Sequence, residues 1–340
     1  MNHIDTICIC GGGSLGTVIA GVLSSKGYKL NLLTGHPESW NTDIDVTDCE
    51  GTHFNGHLSI ISSDAAIAVP GCQVVLLCVP GYLIKPELSK IAPYVAPGTF
   101  LGSVFSSTGF FFEALDMFGD DIHLWGFQRV PFISRVKDYG KSANLLGYKS
   151  EYNIAVERAS DSDKEEFRQW IETVFDRPTR LLGNYLEASL TNSNPLLHTS
   201  RLYSIYKDWR PGMTYPENPY FYAEWDDDAS ELLIAMDREL FALIDVLPVS
   251  KTFLPTILDY YESHDASSLS AKLRSIESFK AIKAPMVQTT EGWIPDFDSR
   301  YFTEDFAVGL KYVRDLAKKY GVAVPTMDKI YTWGVNLIEK

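Results

Sequence analysis

The sequence predicts an α/β protein in two parts, a doubly wound parallel sheet first and an α-helical half after it. Three observations carry this expectation. Short β-rich runs alternate with helical periodicities along the first half. A glycine-rich loop stands between the first such run and the first helix. Beyond about residue 184 only helical patterns continue, and no strong strand pattern follows.

In order, Thr6-Ile7-Cys8-Ile9-Cys10 is an unbroken apolar run, as expected of a strand buried on both faces of a parallel sheet. Ser14 to Lys26 has helical periodicity and stops at Gly27, a C-terminal glycine signal. Lys29 to Leu33 reads as a second strand. The strongest strand is Gln73 to Val79, closed by Pro80-Gly81, and Thr99 to Phe105 and His123 to Phe127 follow. In the second half Leu186 to Tyr206, Ala229 to Val246, Phe253 to Tyr261 and Thr303 to Tyr320 read as helices. In the last, Phe306, Leu310, Val313 and Ala317 fall on one face and Gly321 ends it. The expected division is 1–183 for the α/β part and 184–340 for the helical part.

Composition narrows the function classes. With 45% hydrophobic and 13% aromatic residues the chain can offset the entropy of ordering, so disorder is excluded. The formal charge of −14 speaks against nucleic acid or an anionic membrane as the main partner, because phosphate surfaces need a basic field. A small anionic substrate needs only a local base or two. No apolar run is long enough to span a bilayer, and Met1 to Asp5 lacks the basic flank and apolar stretch of a signal peptide. Five cysteines, at 8, 10, 49, 72 and 78, are an odd number without zinc spacing and read as free thiols in a reducing cytoplasm. No metal site is expected, and the sequence permits a homodimer.

Gly11-Gly12-Gly13-Ser14-Leu15-Gly16 fits G-x-G-x-x-G after a strand and at the mouth of a helix. That context makes a weak pattern strong. Gly11 suits a tight turn, Gly13 lets backbone approach a pyrophosphate, and Gly16 allows close helix–strand contact. The helix start, through Ser14 and Leu15, would meet the phosphates with unpaired N–H groups. The first part therefore reads as a dinucleotide-binding, Rossmann-like domain. An NAD site usually has an acid at the end of the second strand. Here Thr34 and His36 stand there, with no acid before Glu38 and no arginine, so the cofactor is NAD or NADP with a slight tilt to NADP. Val79 and Pro80 end the strongest strand, where such a sheet presents its carboxyl edge to the ligand.

Of seven histidines, His53 and His57 lie in a Gly/Asn-rich loop or hairpin without metal spacing. His198 stands apart. Asn194 and His198 are four residues apart and share a helix face. Pro195 between them either kinks the helix or restarts it with Asn194 as N-cap. Near the end, Thr303 suits the N-cap of the last long helix and Glu304 and Asp305 its positive end. Arg300 has no such role, and among aromatics it could grip a carboxylate bidentately. The segment Trp209 to Trp225 offers Tyr215, Tyr220, Phe221 and Tyr222 as wall residues, although such a loop is more often packing. Asp226-Asp227-Asp228 reads as a solvated helix start.

The order of these features resembles the octopine/nopaline (opine) dehydrogenases: the glycine loop, Asn194-Pro-Leu-Leu-His198, and Arg300-Tyr-Phe-Thr-Glu-Asp305 before a long helix. The likeness covers nearly the whole chain, and the second and third segments are its specific part. It implies a Rossmann domain and an all-helical domain with the active site between them. It also implies NADH- or NADPH-dependent joining of an amino acid's amino group to a 2-oxo acid such as pyruvate. His198 would then be the general acid/base, Asp305 the carboxylate that orients it, Arg300 the substrate-carboxylate anchor, and Asn194 a residue facing nicotinamide or substrate. The missing acid after the second strand departs from the NAD-using members. Two other readings stand beside this one. One is 2-oxo acid reduction as in the 2-dehydropantoate reductases, which use a Lys where this chain has His198. The other is a nucleotide-binding regulator without turnover.

Overall fold

A computed structural model describes residues 3–250 and 253–338. The chain divides after Ser189 into two compact units. The first contains β1 (Thr6–Cys10), α1 (Ser14–Ser25), β2 (Lys29–Leu33), β3 (Asp43–Asp48), β4 (His53–Ser62), α2 (Ala65–Ala68), β5 (Val74–Leu77), α3 (Gly81–Ile91), β6 (Phe100–Ser103), α4 (Phe110–Met117) and β7 (His123–Phe127). It continues with β8 (Phe132–Asp138), β9 (Ser142–Tyr148), β10 (Tyr152–Glu157), α5 (Asp161–Phe175), β11 (Thr179–Leu181) and α6 (Tyr185–Ser189).

The strands form one sheet in the order β11-β10-β7-β6-β5-β1-β2-β4-β3-β9-β8. Its six central members, β7 to β4, are all parallel, and they follow the doubly wound order in which the chain leaves β1 first to one side and then to the other. β1 and β5 are its innermost strands, and their apolar runs are buried throughout apart from the leading Thr6. The fold class expected from the sequence is present.

Beyond β4 the sheet continues where the sequence reading placed no strand. The first half of β4 pairs antiparallel with β3 and its second half parallel with β2, so one ten-residue strand joins the core to an extension. β3 pairs with β9 and β9 with β8, and α1 packs against β3, β4, β8 and β9. This covering explains why α1 is buried continuously from Gly16 to Leu23, with no polar stripe to mark a solvent face. Close approach is possible because two glycines meet: a Cβ on Gly56 would lie 2.9 Å from the Gly21 Cα. His53 and His57 belong to β4, where they pair with Asp45 (2.9 Å) and Asp43 (2.7 Å) on the outward face of β3.

The unit boundary falls at Ser189 rather than Gly183. α6 packs on β10 and β7, and Gln128 Nε2 donates to the Glu187 carbonyl, so these residues belong with the sheet. The second unit contains α7 (Asn194–Tyr206), α8 (Asp227–Ile244), α9 (Ile257–Tyr260), α10 (Ala266–Ser275), β12 (Met286–Thr289), β13 (Gly292–Pro295), a π-helix at Tyr301–Leu310, α11 (Lys311–Lys319) and α12 (Pro325–Ile338). It is helical apart from the β12–β13 hairpin, which lacks a strong hydrophobic alternation. The single helix expected over 186–206 is two helices, because the chain breaks at 190–193 and restarts with Pro195 in the first turn of α7. Among the described residues no helix is long and apolar enough to cross a membrane.

A methyl group at the Gly21–Gly56 crossing must push α1 away from β4. Gly56→Ala should therefore cost about 1–3 kcal/mol of stability. Urea unfolding of the purified chain measures it, and an unchanged midpoint would show that the crossing relaxes freely.

Candidate active site

In the first unit the glycine loop lies at the carboxyl ends of β1 and β5, on either side of the point where the strand order reverses. Gly11 has φ +112°, and a Cβ there would stand 2.7 Å from the Cys78 carbonyl oxygen and 2.9 Å from Val79. Gly16 sits so close to the Gly11 carbonyl that no side chain fits. Gly13, in contrast, has nothing within 4 Å of a built Cβ, and it is the N-cap of α1. Two glycines are thus needed for packing, and the third opens space at a helix start. That cradle fits a pyrophosphate.

The other expected cofactor residues gather around it. Leu15 packs half-buried on the core, and the Ser14 hydroxyl accepts a hydrogen bond from the Val136 N–H (3.1 Å). Pro80 is the N-cap of α3, so Pro80-Gly81 opens a helix and is not a plain turn. Thr34 is buried, and its hydroxyl and the Trp40 ring both stand against Gly12. His36 is exposed with Nδ1 3.5 Å from Glu38. Sequence reasoning missed Trp40, which lies beyond the second strand and has no motif.

In the second unit α7 and the π-helix cross with Pro195 against Gly309, whose missing side chain leaves room for the proline ring. One turn beyond Pro195, His198 reaches Asp305 across 107 residues of chain: Nδ1 and Oδ2 are 2.7 Å apart, with both side chains nearly buried. An ionised carboxylate only accepts hydrogen bonds, so Nδ1 carries the proton and Nε2 of the neutral ring is the acceptor. The Tyr222 hydroxyl lies 3.0 Å from Nε2 and donates to it. Tyr301 stacks at a tilt on the imidazole, 4.6 Å between centroids. Burial pushes the phenols of Tyr222 and Tyr301 up, and the Asp305 charge adds to both, so the two remain neutral hydroxyls. A histidine so held between a carboxylate and a hydroxyl has the geometry of a general acid/base.

Two sequence expectations change here. Thr303 does not cap the last helix: Arg300 is the N-cap, and the Thr303 hydroxyl donates to the Ser299 carbonyl (3.2 Å). Asp305 is therefore the partner of His198 and not a helix-end charge. Asn194 is the first residue of α7, and Ser193 is its N-cap without a side-chain bond. Asn194 and Arg300 are exposed, and neither side chain has a partner among the described residues. Asp226 starts α8 as its N-cap, as the sequence reading had it, and is also an ion-pair partner of Arg201. Arg201 carries no sequence signal, since a lone arginine on a helix is ordinarily a surface residue. Among the described residues no group of three or more His, Cys, Asp or Glu comes together as a metal site.

Comparison with known proteins finds similarity along both units. Residues 181–338 match the family described as NAD/NADP octopine/nopaline dehydrogenase, alpha-helical domain, and residues 7–104 match Ketopantoate reductase PanE/ApbA. The chain is 26% identical to octopine dehydrogenase of Pecten maximus, over 98% of this chain and 90% of that protein. It is 27% identical to opine dehydrogenase of Haliotis discus hannai, over 96% and 89%. A solved structure of octopine dehydrogenase with NADH and L-arginine superposes with a TM-score of 0.84 at 26% identity, covering 99% of this chain and 90% of that one. The chain is thus an NAD(P)-dependent oxidoreductase that resembles the octopine and opine dehydrogenases over nearly its whole length, and its residues 181–338 match their helical-domain family.

Proposed function

We propose that the chain catalyses the reductive condensation of a 2-oxo acid, such as pyruvate, with the amino group of an amino acid, giving a secondary-amine dicarboxylate. The observation that carries this reading is the hydrogen-bonded His198–Asp305 pair, whose carboxylate lies on the π-helix that an unpaired Arg300 caps. Relatives named octopine, opine and tauropine dehydrogenase support it, as do solved octopine dehydrogenases holding NADH with L-arginine, agmatine or pyruvate.

Gly11, Gly13, Ser14, Leu15 and Gly16 would hold the dinucleotide's phosphates, and Val79 and Pro80 would border it. When bound, the nicotinamide supplies the hydride that reduces the imine carbon. His198 would accept the proton released as the amine adds to the keto carbon, and return one to the hydroxyl that departs as water. Asp305 keeps the proton on Nδ1 and balances the charge when the ring is doubly protonated. Arg300 would grip the 2-oxo acid's carboxylate through two N–H donors, and Asn194, one turn before His198, would face nicotinamide or substrate. Thr34 and the exposed His36 leave the slight tilt toward NADPH, since an imidazolium can pair with a 2′-phosphate; Glu38 beside it would instead suit the ribose hydroxyl of NADH.

A second reading, reduction of a 2-oxo acid to the 2-hydroxy acid, is favoured only by the ketopantoate reductase match over 7–104. That stretch holds the dinucleotide fold and none of the residues around His198. A binding protein without turnover has no observation behind it.

The deciding assay follows oxidation of NADH or NADPH with a panel of 2-oxo acids and all common amino acids. Oxidation is expected only when both substrates are present. Oxidation with the 2-oxo acid alone would replace this reading with the second. His198→Ala should lower turnover roughly 10²–10⁴-fold, and activity within a few-fold of the parent would remove it from the chemistry. Arg300→Ala should chiefly raise the KM for the 2-oxo acid while the KM for the amine changes little. An unchanged 2-oxo acid KM would end its anchoring role.

A further inference from the structure

Both ring nitrogens of His198 are already engaged by the protein. Nδ1 donates to Asp305, and Nε2, the nitrogen a substrate would need, accepts from the Tyr222 hydroxyl at 3.0 Å. A general acid/base with no free nitrogen can serve a substrate in two ways: its partner swings aside, or the proton passes through that partner.

The surroundings of Tyr222 oppose swinging. Its ring stacks on Phe279 at 4.3 Å and lies parallel to Trp225 at 5.9 Å. The turn that bears it is held by Arg201, 3% exposed, whose Nε donates to the carbonyl of Phe221 (2.9 Å) and whose NH2 group donates to that of Glu224 (2.6 Å). Asp226 holds the guanidinium's remaining arm, and the Ser204 hydroxyl also donates to that carboxylate. Moving Tyr222 would uncover buried ring surface and disturb hydrogen bonds to a buried charge, which are among the costlier ones to break.

We infer that Tyr222 is a proton relay between His198 and the substrate, with Arg201 as the positioning residue that holds the relay in place. This rests on the condensation reading above. The phenol oxygen keeps acceptor capacity while its proton points at Nε2. As the amine adds, its N–H bond breaks and the proton goes to the phenol oxygen while the phenol's own O–H proton moves to Nε2. Tyr222 begins and ends neutral, and His198 ends protonated on both nitrogens. The sequence then reverses and delivers that proton to the former keto oxygen, which becomes a hydroxyl; the second N–H proton takes the same route to that hydroxyl, which leaves as water as the C=N bond forms. Burial keeps the phenol from ionising, which suits a group that passes a proton without storing charge.

Tyr222→Phe keeps the stacked ring and removes only the relaying oxygen. Single-turnover cofactor oxidation with both substrates should slow roughly 10²-fold, with both KM values within about threefold of the parent. A rate equal to or above the parent's would mean that Tyr222 is a plug, and would overturn the relay. The spectrum of ¹⁵N-histidine-labelled protein without substrates tests the same bond apart from turnover. Nδ1 should be protonated and Nε2 bare, with the Nε2 resonance moving in Tyr222→Phe; an Nε2 resonance unmoved by the substitution also overturns the relay. If the parent chain oxidises no cofactor with any pair, the functional reading fails, and the ¹⁵N result alone decides whether Tyr222 and His198 form the bond that a relay requires.

Discussion

The helical unit depends on the winding of one segment. From Tyr301 to Leu310 the chain forms a π-helix, a conformation rare at this length and found mostly at functional sites. In an α-helix, residues five apart are separated by about 1.4 turns and face different sides. Winding with i→i+5 bonds brings Arg300 and Asp305 to roughly one turn apart, so an exposed cation and a buried carboxylate come from one stretch of backbone. The same segment carries Tyr301 onto the imidazole and Gly309 beneath Pro195. Without that close crossing, α7 would stand farther off and His198 would not reach its carboxylate.

The surroundings of His198 are held by groups that are themselves fixed. Asp305 and the Tyr222 hydroxyl grip the two ring nitrogens, and the aromatic rings of Phe221 and Tyr301 limit how it can turn. Arg201 holds the next layer. A buried guanidinium is a poor source of net stability, because desolvation offsets much of its attraction to Asp226. Its geometry is better explained by what it orders: two backbone carbonyls of the turn that bears Tyr222. Around this polar chain the packing is aromatic, from Phe221, Trp225 and Phe279, so few competing hydrogen-bond partners are at hand.

The dinucleotide unit meets a different constraint, which is space. Gly11 and Gly16 exist because β1, β5 and α1 approach too closely for side chains, whereas Gly13 faces open volume. Covering α1 with the β3–β9 extension buries a helix that is apolar on every side. That extension is attached by β4, and its turn at Gly140 packs on Ser39 and Trp40, just beyond the end of β2. The backbone next to the residues expected to choose between NAD and NADP is therefore supported from the sheet extension.

Local patterns in the chain were enough for the central strands, the glycine loop, the helical character of the second half and the segments around His198 and Arg300. These features rest on interactions between near neighbours, with periodicity, glycine spacing and a proline at a helix start as their signals. β3, β8 and β9 were not legible: β3 has only Ile44 and Val46 between residues that disfavour strands, β8 turns Ser134 inward and Ile133 outward, and only pairing with distant strands makes these segments extended. The π-helix was hidden for a similar reason: Phe306 and Leu310 suit an α-helical stripe equally well. By itself the sequence determined two architectures and a short roster of reactive side chains. Tertiary structure decided which of them meet. The 107 residues between His198 and Asp305 carry no local signal of their pairing, and the hydroxyl on Nε2 comes from an aromatic loop whose position is set by a buried arginine.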